Sequence, residues 1–467
     1  MKTYLSATLA RMLAALMAVS LFLTMVACSA SSDGTDSDST AEEEVVTLPP
    51  VTIPDLTDDR VPTDITDYTE RLEALFATSK PAPMSDFAYE NNDSGVTVLS
   101  YKGGETVLVI PDTLGGRPVT AIADSAFKGM TGLKAVSVPD TVTSIGRSAF
   151  EGCKNLTSLK TPVYTCEGAP YFGALFGATT HEANGGYVPV SLSTLVLTKG
   201  TAIPEYAFYA CRGLEVVALP DTTVEIGPFA FYGCEGLAYI TTADTALTTV
   251  GEHAFSGCIR LLNMTLPDTV AYMGEGMLEG CGKLESLTIP FVGGESSSTA
   301  ETAYLGYLFG ARHYTFTAGY LPASLITVTV SAGCSAIPAN AFFECASIRE
   351  IHLPQGVTTI GRRAFYGCER LTAMTLPDSV ASMGDDAFHG CIRMQTFTGG
   401  AGLTELGVQT FMGCLSLTTV ALPETVTTLP NSCFSGCLSL TTLTAEGVTG
   451  VGDKTFHQCD KLTGWNK

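Results

Sequence analysis

The chain has 467 residues, of which 45% are apolar and only 15% are charged, and its formal net charge is −22. Nucleic-acid binders need a basic face that displaces counterions from phosphates, and this acidic balance excludes one. More than half of the charge excess lies in residues 29–94, which hold 3 basic and 16 acidic side chains. A short acidic segment therefore precedes a long, weakly charged remainder.

The first 28 residues have the features of an export signal. Two basic residues precede an apolar run at 12–27, which is shorter than the roughly 20 residues that span a bilayer. The run ends in MVAC, which resembles the lipobox of bacterial lipoproteins except that Met25 stands where Leu is usual. The resemblance implies that Cys28 carries the lipid and anchors an exported protein at the bacterial cell surface. A plain secretory signal with an incidental cysteine is the alternative.

Residues 29–86 are acidic and rich in Ser, Thr and Pro, with few large apolar residues. Such a segment cannot bury enough surface to order itself, so it predicts a mostly disordered, self-repelling tether. Within it, DYTERLEALFAT at 67–78 favours a short helix with Leu72, Leu75 and Phe76 on one face. From residue 87 onward, clusters such as GVTVLSY and ETVLVIP predict strands.

One unit then recurs through residues 87–467 with a step that is mostly 23. Its pattern is Leu-x-x-Leu-x-Leu-Pro-x-x-Val-x-x-Ile-Gly-x-x-Ala-Phe-x-Gly-Cys. Leu278 or a phenylalanine marks each copy, and the phenylalanines are at 127, 150, 208, 231, 255, 342, 365, 388, 411, 434 and 456. This period and leucine spacing predict a leucine-rich-repeat solenoid of about twelve units. We expect an α/β-type repeat with a stacked parallel β-sheet, mostly β and turns, with short or irregular convex segments, because no unit can bury its own apolar edge.

The Ile-Gly-x-x-Ala-Phe-x-Gly-Cys core resembles the BspA-type bacterial leucine-rich repeats, and IPDTLGGRPVTAIADSAFKG at 110–129 resembles the first unit of such arrays. The resemblance implies a cell-surface protein used in adhesion or in binding host or neighbouring-cell molecules. Its partner would be an extracellular or cell-surface protein or glycan. The resemblance implies no catalytic site and no cofactor.

Two units, at 162–192 and 291–325, are longer than the rest and align with each other at an offset of 133. Both contain Leu-Phe-Gly, at 175–177 and 308–310, which favours packing of the added segment onto the solenoid. The stretches 181–187 and 313–320 differ more, and both packing and exposed contact remain open for them. The candidate ligand-binding residues there are His181, Tyr187, His313, Tyr314, Phe316 and Tyr320.

Eleven of the fifteen cysteines lie three places after the marker residue: 153, 211, 234, 258, 281, 345, 368, 391, 414, 437 and 459. Export makes disulfides an alternative, but Met130 fills this place in the first copy, so buried thiols are the favoured interpretation. Cys433 is expected in the core, and Cys166 and Cys334 lie outside the column and could be reactive. Zinc-ligand spacings, nucleophile elbows and phosphate loops are absent from the sequence, so we expect no enzyme.

Two further columns of side chains follow the strands. Carboxylates after the strand-ending prolines predict turn caps, with calcium binding as the alternative, and they are Asp112, Asp140, Asp221, Asp268, Asp378 and Glu424. Threonines share one position on the outer strand face, at 241, 265, 288, 375, 398 and 444. Lys160 and His352 occupy the same position. We therefore take Lys160, His352 and Thr375 as candidate binding residues on a hydroxyl-lined surface. A structural envelope-associated scaffold without a dedicated ligand is the alternative function.

Overall fold

Most repeats contribute a longer and a shorter strand, and these stack on the equivalent strands of neighbouring repeats. The structure, a computed structural model, describes residues 65–296, 301–331, 333–463 and 465. All of the described residues belong to one compact unit, Pro62–Lys467. The predicted signal with Cys28 and the first part of the predicted tether lie outside the described residues. None of the helices within the described ranges has the length and apolar character needed to cross a bilayer.

The strands, in chain order, are β1 (Phe87–Asn91), β2 (Val96–Tyr101), β3 (Val107–Val109), β4 (Thr113–Leu114), β5 (Arg117–Ile122), β6 (Ala135–Ser137), β7 (Ser144–Ile145), β8 (Ser158–Thr161), β9 (Thr194–Leu197), β10 (Ala202–Ile203), β11 (Val216–Ala218), β12 (Glu225–Ile226), β13 (Tyr239–Ile240), β14 (Thr249–Val250), β15 (Asn263–Thr265), β16 (Tyr272–Met273), β17 (Ser286–Ile289), β18 (Thr327–Val330), β19 (Ala336–Ile337), β20 (Glu350–His352), β21 (Thr359–Ile360), β22 (Ala373–Thr375), β23 (Ser382–Met383), β24 (Thr396–Thr398), β25 (Thr419–Ala421), β26 (Thr428–Leu429), β27 (Thr442–Thr444) and β28 (Gly450–Val451). The α-helices are α1 (Ile65–Thr78), α2 (Asn184–Tyr187) and α3 (Thr317–Tyr320). The 3-10 helices span Met84–Asp86, Phe172–Phe176, His181–Ala183, Leu305–Phe309 and Tyr314–Phe316.

The longer strands form a row of parallel strands that runs through the repeats. It consists of the hydrogen-bonded sets β3-β6-β8-β9-β11-β13, β15-β17-β18-β20 and β22-β24-β25-β27. The described residues thus contain fourteen such strands, whereas the sequence pattern predicted about twelve units. The difference arises because each long unit is a turn of its own, in which Phe176 or Phe309 fills the marker position. A leucine-rich-repeat solenoid with a stacked parallel sheet is therefore confirmed.

The shorter strands form a second parallel row, in the sets β10-β12-β14-β16, β19-β21-β23 and β26-β28. We did not predict this row, because two-residue strands give no alternation that can be recognised in a sequence. The glycine that follows them is needed for close approach rather than for unusual dihedral angles. A Cβ on Gly384 would lie 2.5 Å from the backbone nitrogen of Arg362, in the neighbouring layer. Gly390, by contrast, has a φ of +73°, which favours glycine.

The first turn is covered by a small antiparallel arrangement. Strand β1 pairs with β2 in antiparallel fashion, and β2 then pairs in parallel with β5, which joins β7 of the next turn. The rings of Phe87 and Tyr101 lie 4.8 Å apart, and Tyr101 lies 6.2 Å from Phe127, the first marker phenylalanine. The apolar edge of the first layer is therefore covered, as a terminal repeat requires.

The marker phenylalanines form the centre of the core, as predicted. Where two of the phenylalanines that the 23-residue pattern identified occupy successive layers, their rings stack with centroids 4.7–5.8 Å apart and planes within 11° of each other. The rings of Phe150 and, in the first long unit, Phe176 lie 6.2 Å apart and are tilted by 37°. The backbone joins the same layers, because the N–H of Phe365 donates to the carbonyl of Ala387 at 2.8 Å. Leu278 is fully buried in the equivalent place. Ring stacking and backbone hydrogen bonds thus both hold successive layers together.

The cysteine column consists of free, buried thiols in the described residues, which confirms the favoured interpretation. In most layers the cysteine thiol donates to the backbone carbonyl of the phenylalanine in the preceding layer, as Cys391 Sγ does to Phe365 at 3.2 Å. Burial raises the pKa of Cys153 to about 11 and that of Cys281 to about 12. Cys433 is fully buried, as expected.

Cys166 and Cys334, which we considered as reactive thiols, are also buried. Cys334 Sγ donates to the carbonyl of Ala336 at 3.1 Å, and burial raises the pKa of both thiols, that of Cys166 to about 11. The thiolate is the reactive form of cysteine, so these environments oppose reactivity. The suggestion that either is reactive is therefore not supported.

Helix α1 packs on the longer-strand row, although its residues were assigned to the tether. Leu72 and Phe76 are 6% and 7% exposed, and they contact Ala135, Val196 and Ala218. Leu75, which we expected on the same face, is 39% exposed, so the contact with the sheet is narrower than that face. Burial of a Leu or Phe side chain contributes about 1.5–3 kcal/mol relative to exposure. The helix predicted at 67–78, within the 29–86 segment, is therefore confirmed, and it packs on the strand face.

Removing one ring from the phenylalanine stack should strongly destabilise the solenoid. Phe388 is fully buried between Phe365 and Phe411, whose ring centroids lie 4.7 and 5.7 Å away. We expect Phe388→Ala to lower the free energy of unfolding by about 3–5 kcal/mol, because it leaves a cavity between layers. Urea unfolding followed by circular dichroism measures this change. Leu415→Ala, at a site that is 43% exposed, is the control and should change stability by less than about 1 kcal/mol. Equal losses in the two variants would contradict the stack's role.

The cysteine column should be unreactive in the folded protein. At pH 8 the raised pKa values leave almost no thiolate at Cys153 or Cys281, and burial blocks access to both. We expect iodoacetamide to modify none of the fourteen described cysteines in the native protein and all of them in guanidinium. The protein is digested without prior reduction, and mass spectrometry of the peptides counts the iodoacetamide adducts. Cysteines that react only after reduction of the unfolded chain would reveal disulfides and overturn the assignment.

Candidate functional site

The outer strand face consists of the residues that flank the inward side chain of each longer strand. In β24, for example, Phe397 is buried while Thr396 and Thr398 are exposed. Strand pairing fixes two outward rows, since Thr396 aligns with Ala373 and Thr398 with Thr375. The spacing between paired strands is about 4.8 Å, so each row presents side chains at that interval.

The first part of this face, on β3, β6, β8, β9 and β11, lies under helix α1, and we call it the helix-covered section. Its outward residues include Val107, Val109, Ala135, Val196 and Ala218, all of which contact or surround Leu72 and Phe76 of α1. Ala135 is only 2% exposed, whereas Ala373, in the same row farther along, is exposed. The helix therefore shields the centre of this section from solvent, while Val107, Val109 and Lys160 stay half-buried.

Lys160, a predicted ligand contact, lies in the helix-covered section and has a partner within the chain. Its Nζ lies 2.6 and 2.7 Å from the two carboxylate oxygens of Glu73 on α1. The lysine side chain is 23% exposed and the glutamate 53% exposed. A pair this exposed contributes about 0–1 kcal/mol to stability.

The outward residues of β15, β17, β18, β20, β22, β24, β25 and β27 form a second part of the face, which we call the open section. Hydroxyl-bearing side chains dominate it: Thr265, Ser286, Thr288, Thr327, Thr329, Thr375, Thr396, Thr398, Thr419, Thr442 and Thr444. His352 and Thr375 are both exposed here, as the candidate binding residues should be. His352 Nε2 lies 3.7 Å from Glu350 Oε2 on the same strand.

The long units extend single turns and leave the sheet continuous. Ser158 of β8 pairs with Thr194 of β9 across the first, and Ser286 of β17 pairs with Thr327 of β18 across the second. Both Leu-Phe-Gly segments are buried in the core, with Phe176 at 2% and Phe309 at 1% exposure. Packing of these segments, as favoured from their sequence, is confirmed.

The six candidates on the long units separate into packed and exposed side chains. His181 meets Tyr209 edge-on at 5.8 Å, and Tyr314 meets Phe343 in the same way at 5.1 Å. His181 also stacks on Tyr206 at 4.2 Å. His181 and Tyr314 are equivalent in the duplicated block, since they differ by 133 positions. Their matching contacts show that both hold their loops against the next layers.

The other candidates on the long units face solvent. Tyr187 and Tyr320 end the equivalent helices α2 and α3 and are 50% and 45% exposed. Phe316 is 59% exposed, and His313 is exposed with its Nδ1 2.9 Å from Thr315 Oγ1. Exposed aromatic side chains of this kind can anchor a partner.

Two columns of stacked aromatic rings beside the long units were missed in the sequence. One runs from His181 through Tyr206 and Phe229 to His253, with centroids 4.2, 5.1 and 5.2 Å apart. The other joins Phe343, Tyr366 and His389. Because neighbouring rings cover each other's faces, the columns present ring edges to solvent rather than flat platforms. The signal was available, since aromatic or histidine residues recur two positions before the marker at 206, 229 and 253 and directly after it at 343, 366 and 389.

Where the contacts of the aspartate column are resolved, its carboxylates bond to other layers of the solenoid and do not cap their own turns. Asp378 Oδ1 accepts from the N–H of Ala401 at 2.8 Å, and Asp140 Oδ1 accepts from Thr198 Oγ1 at 2.5 Å. Within the described ranges, no group of three or more His, Cys, Asp or Glu side chains could hold a metal ion. Asp140 and Asp378 thus link different layers, whereas the sequence predicted local turn caps.

Comparison with known proteins places the repeats in a family. The family model described as "BspA type Leucine rich repeat region" matches in six copies over residues 108–168, 188–298 and 335–463. No curated protein matches the chain. Among solved structures, a leucine-rich repeat protein from Bacteroides ovatus is 22% identical, with 81% of this chain and 80% of that chain covered and a TM-score of 0.33. A leucine rich cell surface protein from Faecalibacterium prausnitzii is also 22% identical, with 80% and 96% covered and a TM-score of 0.30. The family model covers more than half of the sequence, and the chain belongs to the BspA-type leucine-rich repeat family.

Proposed function

We propose that the chain is an exported, surface-displayed binding or adhesion protein that recognises host or neighbouring-cell macromolecules through the open section of its strand face. The supporting observation is the contrast between equivalent positions. Ala135 is covered by helix α1, whereas Ala373 and Thr375 on the same face are exposed. Eight strands at about 4.8 Å give this free surface a length of roughly 34 Å.

The chemistry of the open section suits a partner that is held by hydrogen bonds. Hydroxyls that both donate and accept line it, and Glu350 and His352 add a charge and an imidazole near its middle. Protein interfaces carry about one hydrogen bond per 100–200 Å² and exclude unpaired charge from their centre. An extracellular protein or glycan therefore fits this surface, and the proposal includes no catalytic step and no cofactor.

The exposed aromatic residues of the long units provide additional anchors outside the strand face. Tyr187, Phe316 and Tyr320 are each about half exposed or more. Large aromatic side chains commonly supply most of the energy of an interface. A structural envelope-associated scaffold without a ligand would need neither these side chains nor the open section.

Charging the open section should abolish binding while leaving the solenoid folded. The full chain carrying Cys28→Ser is offered to immobilised matrix proteins and to a glycan array. We expect saturable retention of this protein, and we expect Thr375→Glu combined with His352→Glu to weaken it at least about tenfold through unpaired carboxylates at the contact. Thr427→Glu, at an exposed threonine off the strand face, is the matched control.

Two outcomes of this experiment would count against the proposal. Retention that is unchanged in the Thr375→Glu, His352→Glu variant would place binding elsewhere on the molecule. Retention of the parent protein by none of the probes would favour the scaffold. Circular dichroism and urea unfolding of all variants verify that lost binding does not reflect lost folding.

Surface display further depends on the anchor that the sequence of residues 25–28 implies. Each methylene of an acyl chain buried in a membrane contributes about 0.8 kcal/mol, so several chains on Cys28 hold the protein firmly. We expect Cys28→Ser to shift the protein from the membrane fraction to the soluble fraction, as followed by immunoblotting of fractionated cells. Ser29→Ala is the matched control and should stay with membranes. Continued membrane retention of the Cys28→Ser protein would remove the lipid anchor from the proposal.

A further inference from the structure

The helix-covered section differs in chemistry from the rest of the strand face. Its outward residues include Val107, Val109, Val196 and Val216, whereas hydroxyl-bearing side chains occupy most equivalent positions of the open section. A valine or alanine in these rows has no role in the solenoid core, because the inward residues already fill it. The apolar rows therefore serve a contact outside the solenoid.

Helix α1 matches this section at three points. Leu72 and Phe76 lie four positions apart, so they share one helix face, and both are buried against the apolar rows. Glu73 lies beside Leu72 and reaches Lys160 at 2.6 Å. Lys160 is the one charged residue among the outward residues of β3, β6, β8, β9 and β11, all of which the structure describes. The strand face thus recognises two apolar knobs and a carboxylate.

The same geometry shows that α1 is held by few contacts. Of its described side chains only Leu72 and Phe76 are buried, Leu75 is exposed, and the ion pair to Lys160 is partly hydrated. A short helix is marginal in water by itself, so its order here depends on this docking. Another helix with the same pattern could therefore take its place.

We propose that the helix-covered section is a helix-binding surface, and that its partner is an acidic amphipathic helix with two large apolar residues four positions apart and a carboxylate beside the first. In the free protein α1 occupies the surface. A partner helix of this chemistry displaces α1 and takes its place. This surface is separate from the open section, so the proposal goes beyond the function proposed above and can fail independently of it.

A peptide supplied in trans tests this proposal. The probe is the acetylated, amidated and fluorescently labelled peptide ITDYTERLEALFAT, which is residues 65–78 of the chain. The receptor is the full chain with Cys28→Ser, Leu72→Glu and Phe76→Glu, changes that release α1 and leave the solenoid core intact. We expect saturable binding to this receptor by fluorescence anisotropy, and at least about tenfold weaker binding to the chain with native α1, which occupies the site itself.

Two further variants show whether the probe occupies the predicted site. A peptide with the Leu72→Glu and Phe76→Glu changes should not bind. Adding Lys160→Glu to the receptor should weaken binding of the native peptide, and a Glu73→Lys peptide should recover affinity for that receptor. Recovery by charge reversal would show that position 73 of the peptide lies beside position 160 of the receptor. A general loss of receptor stability would not produce such recovery.

Each other result overturns the proposal. Absence of saturable binding up to millimolar peptide, with hydrogen exchange showing residues 65–78 of the receptor unprotected, would mean that the surface does not take a helix in trans. Equal binding to receptors with native and released α1 would place the peptide elsewhere. Continued protection of residues 65–78 in the released receptor would show that Leu72 and Phe76 do not hold α1.

Discussion

Contact between successive layers is the constraint on which the rest of this structure depends. A single turn buries its apolar edge only against the next turn, and three features act at that contact. The ring of Phe365 stacks on that of Phe388, its N–H donates to Ala387, and the thiol of Cys391 donates to its carbonyl. Since a thiol is a weak donor, its contribution lies mainly in filling the space beside a carbonyl that already accepts the backbone N–H of Cys368. The absence of a Cβ at Gly384 lets the backbones of adjacent layers approach closely enough for these contacts to form.

Because every layer repeats the same contact, each position of the unit keeps one direction along the whole stack. Inward positions are restricted to a few apolar types, but outward positions are free to vary. The strand face uses this freedom to carry two surfaces of different chemistry on one sheet. Valine and alanine lie under helix α1, and threonine lies where no described element covers the sheet. A repeat architecture can therefore separate an intramolecular contact from a free surface without any change in its core.

The repeats also explain what could be predicted from the sequence. The marker phenylalanines, the buried thiols and the Leu-Phe-Gly segments occur many times or twice, so their periodicity reveals their direction. The docking of α1 occurs once and joins Leu72 to Val196, more than 100 residues away, so no periodicity reports it. The same reason left Lys160 as a candidate contact, although Glu73 already pairs with it. The exposure of Leu75 was missed because helical spacing predicts a shared face but does not say how wide the contact with the sheet will be.

The long units show how exposed groups can be added without interrupting the row of paired strands. Because β8 pairs directly with β9 and β17 with β18, the added residues leave the sheet as one turn and rejoin it in register. The packed residues His181 and Tyr314 fix each loop to the following layers, and the freed ends carry Tyr187 and Tyr320 at equivalent positions. Five strand spacings separate the two long units, which is about 24 Å along the stack. A partner that engages both tyrosines must therefore be extended, or must repeat its own recognition element at about this distance, whereas a small ligand can contact only one.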